Sequence, residues 1–367
     1  MAWHVAFSPP TDALVMELPV HFGIALSGRG PLATPEIMLR IAERADALRF
    51  SSVFVTDHVV IPPATGSVYP YSATGKVGAD WSQGYLEPLA VLGWLARATR
   101  HVRLGTSVLV VPYRNPVVTA KMLATLDVLS GGRVILGAGV GWMREEFEAL
   151  RTAPYQERGR VTDEYLRLMR ECWTREPVDF RGTYYDLAPV SALPKPRQRG
   201  GIPIWIGGHT EAALRRTGEL GDAWHPIGLR PPAGLHPEEY REKADRVRQW
   251  AAKAGRNPES IALTFRAPLD VASSRAKGPP GDRALLRGTA EQVAADIRRY
   301  QAVGVSHLVF DPAAADLKGY LTIMERFAED VRPRLGRGGA ASKPPRRRSK
   351  VAARPAGARS RRKPARQ

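Results

Sequence analysis

Apolar residues fall along this chain in two alternating patterns. Short, almost unbroken apolar runs stand at 21–26, 52–57, 102–110, 134–140, 202–206, 223–227, 261–266 and 307–310. Between most of them lie longer stretches whose apolar positions recur every three or four residues, the spacing of one helix face. Ile37, Ile41, Ala45 and Leu48 form the first such face, and Thr34-Pro35 marks its start, with Thr34 as N-cap and Pro35 at the first helical position. Helices are predicted at 86–99, 116–129, 159–174 and 237–254. A last one sets Leu317, Tyr320, Leu321, Met324, Phe327, Ala328 and Val331 on one side. Residues 178–187 read as a short hairpin around Arg181-Gly182, and 194–201 as a proline-rich connector.

Runs without polar alternation suit parallel strands covered on both faces. Eight of them, interleaved with helices over 20–333, predict an α/β fold: a (β/α)8 TIM barrel with insertions. An open doubly wound sheet would need a glycine-rich dinucleotide fingerprint after the first strand. Gly28-Arg29-Gly30 is only a turn there, and no acid follows at the required spacing.

Of the 367 residues, 44% are hydrophobic, enough for a large core. No apolar stretch reaches the length of a membrane-spanning helix. Residues 1–19 are poorly patterned and lack a basic region ahead of an apolar core, so no secretory signal is expected and Met16 is an alternative start. The single cysteine, Cys172, fits a reducing cytoplasm and lies on an apolar helix face as a core residue. The net charge is +18, but 334–367 holds 13 Lys and Arg and no acid, leaving +5 for the rest. That tail is too poor in apolar residues to fold and is expected to be disordered. It is either a solvated extension or a loose contact for polyanions such as nucleic acid.

Candidate chemistry gathers at the C-terminal ends of the predicted strands, where such barrels build their sites. Asp57-His58 end the second strand; they can bond a ring or move a proton, or cap a turn. Thr106, Ser107 and Val108 sit late in the third. Gly137, Gly139 and Gly141 alternate along the fourth, leaving room for a flat ring or for close packing. Gly207-Gly208-His209-Thr210 joins the fifth to a helix start, which can take a phosphate or serve as a plain turn capped by Thr210. Arg158 and Arg160 are candidates to reach the same phosphate, or surface charges. The long loop 60–84, with Tyr69, Tyr71, Trp81 and Tyr85, is a candidate substrate lid. No metal-ligand spacing, Gly-x-Ser-x-Gly elbow or Walker loop is present.

Five stretches, in this order and spacing, resemble the luciferase-like monooxygenase superfamily, in its branch of coenzyme F420-dependent oxidoreductases. They are Ser52-Val-Phe-Val-Thr-Asp-His58, Leu104-Gly-Thr-Ser-Val108, Leu126-Asp-Val-Leu-Ser-Gly-Gly-Arg133, Leu136-Gly-Ala-Gly-Val-Gly-Trp142 with Glu145-Glu-Phe147, and Pro203-Ile-Trp-Ile-Gly-Gly208. The resemblance implies a deazaflavin, or FMN, across the barrel mouth. It places Asp57 and His58 at the ring edge, with His58 exchanging a proton. Thr106–Val108 would back the ring through a cis peptide between Ser107 and Val108, Gly139 and Gly141 would lie beside it, and Gly207–Thr210 would hold the phosphate. The branch's sugar-phosphate dehydrogenases carry an acid where this chain has Trp142, and a tryptophan where it has Pro62, so sugar-phosphate oxidation is not expected. The implied activity is hydride transfer between F420 and a small organic substrate. The alternatives are an FMN-dependent, oxygen-activating monooxygenase and an idle barrel with a nucleic-acid-binding tail. Relatives are often homodimers; no membrane contact is implied.

Overall fold

The computed structural model describes residues 20–75, 84–272 and 283–335. The extension 1–19, Trp81, and the tail from 336 on lie outside the described residues. Eight parallel strands close on themselves: β1 (His21–Ala25), β2 (Ser52–Val55), β3 (Arg103–Thr106), β4 (Val134–Gly139), β5 (Ile204–Gly207), β6 (Ala223–His225), β7 (Ala262–Val271) and β8 (Val305–Pro312). Closure is made by β8 against β1, with His21 opposite His307 and Ile24 opposite Phe310. This is the TIM barrel that the run pattern predicts.

Around it stand α1 (Pro35–Ala47), α2 (Pro88–Ala98), α3 (Pro116–Ser130), α4 (Arg144–Leu150), α5 (Arg158–Thr174), α6 (Glu211–Leu220), α7 (Pro237–Lys253), α8 (Ala290–Gln301) and α9 (Leu317–Arg326). The Thr34 hydroxyl accepts from the Ile37 N–H, with Pro35 opening α1. The predicted hairpin is present as Val178–Arg181 against Asp186–Val190. The last predicted helix is broken: a π-turn at Phe327–Val331 follows α9, still burying Phe327, Ala328 and Val331. Cys172 is buried, as expected of a core residue. No helix among the described residues is long and apolar enough to cross a membrane.

Side chains pointing outward from the strands, such as Val53 and Val55, join one large core beneath the helices. Those pointing inward fill the barrel, with Phe54, Trp205, Ile135 and Val309 packed together. Two buried histidines sit among them. His307 Nε2 is 2.8 Å from Ser52 Oγ, and His225 lies between Ser107 Oγ at 2.9 Å and Thr264 Oγ1 at 2.7 Å. The Thr264 hydroxyl donates to the Trp224 carbonyl, so it accepts from His225 Nδ1–H and leaves Nε2 to accept from Ser107. His225 is therefore held neutral, and burial, reinforced by the Arg266 charge, pushes its pKa down to about 3.

Candidate active site at the barrel mouth

The third strand stops earlier than its sequence pattern suggests. β3 ends at Thr106, the Ser107–Val108 peptide is cis, and a two-residue strand, Leu109–Val110, resumes pairing with Ala138 and Gly139 of β4. Glycines make room for this bulge. A Cβ on Gly137 would overlap the Thr106 carbonyl oxygen, and one on Gly139 would overlap Val108 Cγ2. At Gly141, whose φ is +81°, a Cβ would meet Phe147 and Val110 at 2.8 Å. The positions that Cβ atoms would take at these glycines are filled by protein atoms, the close packing that the strand pattern also allowed.

The side chains of Asp57, Thr106 and Ser107, three residues expected near a cofactor, are engaged by the protein. Asp57 is buried. Its Oδ2 accepts from the Val110 N–H at 2.9 Å and from Arg114 at 2.7 Å, and its Oδ1 accepts from Arg114 at 2.8 Å. Arg114 also reaches Glu87 at 3.0 Å. The bidentate pair fastens the end of β2 to the bulge, with three bonds accepted by the carboxylate. Thr106 donates to the Gly137 carbonyl at 2.8 Å. The Ser107 hydroxyl is held by His225, and its carbonyl accepts from Arg266 at 2.7 Å. Arg266 is in turn bound to Asp311, which also pairs with Arg230 at 3.0 Å. These three side chains hold the bulge in place from behind.

His58 faces the mouth. Its Nδ1 lies 2.8 Å from Glu146 Oε2, the Glu146 side chain being fully buried and that of His58 only 12% exposed. Glu146 Oε1 accepts from the Val59 and Val60 N–H groups at 2.7 and 3.2 Å, and Oε2 also accepts from Tyr113 Oη at 2.9 Å. Burial alone would raise the Glu146 pKa, but the bonds from His58, the Val59 backbone and Tyr113 outweigh it and lower it. An ionised Glu146 only accepts, so His58 carries its proton on Nδ1 and presents Nε2 to the mouth. The sequence contained Glu146 only inside a family motif; the signal missed was an acid at the start of a helix facing the second strand's end.

Aromatic rings line the rim. His58 lies edge-to-face with Tyr85 at 4.9 Å and with Trp142 at 6.1 Å between centroids. Trp142 meets Tyr69 at 5.1 Å, Tyr69 meets Tyr71 at 5.7 Å, and Tyr71 meets His209 at 5.5 Å. The described part of the predicted lid thus reaches over the mouth. It is latched there by Glu145, whose Oε1 accepts from the Gly66 and Ser67 N–H groups at 2.7 and 3.1 Å while Oε2 accepts from the Ser67 hydroxyl at 2.7 Å. Burial raises the Glu145 pKa, but these bonds together prevail and bring it to about 2.

At the fifth strand's end, Gly208 has φ +97° and Thr210 caps α6 by accepting from the Ala213 N–H. His209 Nε2 is buried without a hydrogen-bond partner in this turn. Burial lowers the His209 pKa, so the ring is neutral. Arg158 Nε donates to the Gly141 carbonyl at 3.2 Å and its guanidinium covers the Tyr155 ring at 3.9 Å. Arg160 is a surface residue, paired with Glu157 at 2.6 Å and 72% exposed. A cavity of about 520 Å³ lies elsewhere, lined by α5, α6 and the hairpin. Arg170, Arg175 and Arg181 on its walls pair with Asp222, Glu171 and Asp179, and the mouth is the better candidate on its chemistry. No group of metal-binding side chains occurs among the described residues.

Known proteins share this architecture. The sequence model of the luciferase-like monooxygenase family matches residues 16–277. The chain is 29% identical over 341 residues to the F420-dependent glucose-6-phosphate dehydrogenase of Amycolatopsis mediterranei (strain U-32), covering 82% of this chain and 95% of that protein. Among solved structures, an F420-dependent secondary alcohol dehydrogenase in complex with an F420–acetone adduct superposes with a TM-score of 0.68 at 20% identity, covering 85% of this chain and 98% of that one. A riboflavin lyase with modified FMN and riboflavin gives 0.69 at 17% identity, covering 88% and 93%. At these identities the two structures speak for the fold, while the sequence match assigns the family. The protein belongs to the luciferase-like monooxygenase family, as an enzyme grouped with that family's F420-dependent oxidoreductases.

Proposed function

We propose that this protein transfers a hydride between coenzyme F420 and a small organic substrate, with His58 exchanging the proton. The observation that carries the reading is the His58–Glu146 pair. A buried carboxylate fixes the imidazole's orientation and tautomer and leaves the other nitrogen free to meet a reactant. The mouth also suits a phosphate-bearing planar cofactor. The backbone of Ser107–Val108 offers a wall for its ring. The Gly207–Thr210 turn offers α6 N–H groups to its phosphate. When bound, the deazaflavin supplies a carbon that accepts or gives up a hydride.

This chain's residues do the rest. In the oxidative direction, His58 Nε2 takes the hydroxyl proton of an alcohol while the carbinol C–H electron pair leaves as hydride, and the C–O bond becomes C=O. In reverse, protonated His58 returns that proton to the carbonyl oxygen as its carbon receives the hydride. Asp57, through Arg114 and Val110, positions the bulge and does not touch the reactants. The sugar phosphate in the relative's name is not carried over, because Trp142 and Pro62 stand at the positions that differ. His58→Ala is expected to lower kcat by about 100-fold or more while the F420 dissociation constant moves less than about threefold. Unchanged turnover would remove His58 from the reaction.

A further inference from the structure

The rim of the mouth is a chain of rings. From Tyr85 through His58, Trp142, Tyr69 and Tyr71 to His209, each ring lies within 6.1 Å of the next. Among the described residues, several of the charges nearby are already engaged. Glu146 serves His58 and its neighbours, Glu145 holds the lid loop, Asp57 holds Arg114, and Arg158 lies over Tyr155. A charged substrate group would have to break one of these pairs, whereas a flat apolar group gains stacking area at once. Trp142 and His58 border the same spot, at 82° to one another. At 6.1 Å between centroids, Trp142 is within reach of a ring-sized substituent on an oxygen bonded to His58.

We infer that the substrate is an uncharged alcohol or carbonyl compound bearing a planar aromatic ring, with Trp142 and Tyr69 as its specificity-determining wall. The inference rests on the reading of the site given above. It does not follow from the family, whose named relative acts on a sugar phosphate. Tyr71 belongs to the same wall as a neutral phenol, burial pushing its pKa up to about 12.

The test uses the full chain saturated with F420 and a binding readout independent of turnover, the fluorescence anisotropy of 2-naphthol, with cyclohexanol as the flat ring's non-planar competitor. Wild-type protein is expected to bind 2-naphthol at least tenfold more tightly than cyclohexanol displaces it. Trp142→Ala should weaken 2-naphthol at least tenfold, Trp142→Phe less than threefold, and Tyr69→Leu several-fold, each with wild-type F420 affinity. With reduced F420, benzaldehyde should be turned over with a higher kcat/KM than acetone, and glucose 6-phosphate should not be oxidised. Equal binding of 2-naphthol and cyclohexanol, or a Trp142→Ala protein that keeps F420 and 2-naphthol affinity alike, overturns this inference and leaves the F420 reading standing. Failure of F420 itself to bind overturns both.

Discussion

His58 and Glu146 stand 88 positions apart, yet the proposed chemistry rests on their pairing. A glutamate whose oxygens accept four bonds, three of them from the segment that carries His58, is a fixture of the β2 end as much as a charge partner. Removing the carboxylate altogether strands the buried Tyr113 hydroxyl and takes the acceptor from the Val59 and Val60 N–H groups. Glu146→Ala is accordingly expected to cost about 3 kcal/mol or more in a urea titration. Glu146→Gln keeps the volume but loses the charge and offers Nδ1–H a weaker acceptor. It should lower kcat by about tenfold with little change in KM. A Glu146→Gln enzyme with wild-type kcat would reduce the residue to scaffolding. None of this is visible from residue types, because the partner of a histidine is set by three-dimensional closeness. Asp57 shows the converse. Its place at a strand end points to the cofactor, and only the fold reveals Arg114 and the Val110 N–H filling both its oxygens.

Glycine placement governs the elements around the bulge. Gly139 lies against Val108, so Gly139→Ala must move either the bulge or β4; a loss of about 1–3 kcal/mol, with weakened F420 binding, is expected. Gly93 is the contrast within the same protein. It sits inside α2, where an added Cβ would meet nothing within 4 Å, and Gly93→Ala should raise stability by about 0.5–1 kcal/mol. Thermal melts of the two variants moving the same way would contradict this account of the strand. Periodicity locates every barrel strand because each is buried on both faces, but it sets the ends less well. The pattern ends the seventh at 266, whereas the strand runs to Val271, across Pro268. That proline is tolerated because β6 pairs with β7 only at Ala262 and Leu263, so the missing N–H falls where no regular neighbouring strand needs it. The bulge after Thr106 is legible only through family resemblance, since Thr-Ser-Val reads as ordinary strand.

At the scale of the whole molecule, the barrel interior is sensitive to acid. His225 is lowered to about 3 by burial and then by Arg266, and His307 is pushed well below its usual value by burial and then by His21 and His225. A histidine whose folded pKa is depressed binds its proton first in the unfolded chain, so stability is full above about pH 6.5 and declines as pH falls below it. His225 should contribute a slope of about 1.4 kcal/mol per pH unit between pH 6 and pH 4, and His307 adds to it in the same direction. Chemical denaturation across that range checks it. His225→Gln, which can still meet Ser107 and Thr264, should flatten the curve, and an unchanged slope would contradict the buried-neutral assignment.

The central claim is that the mouth of this barrel holds F420. The measurement that tests it most directly is a fluorescence titration of the purified full chain with F420, run beside FMN under the same conditions. Saturable micromolar binding of F420, at least tenfold tighter than FMN, is the predicted result. A preference for FMN would contradict it and move the chemistry to oxygen activation, and binding of neither would return the His58–Glu146 pair and the Gly207 turn to purely structural roles.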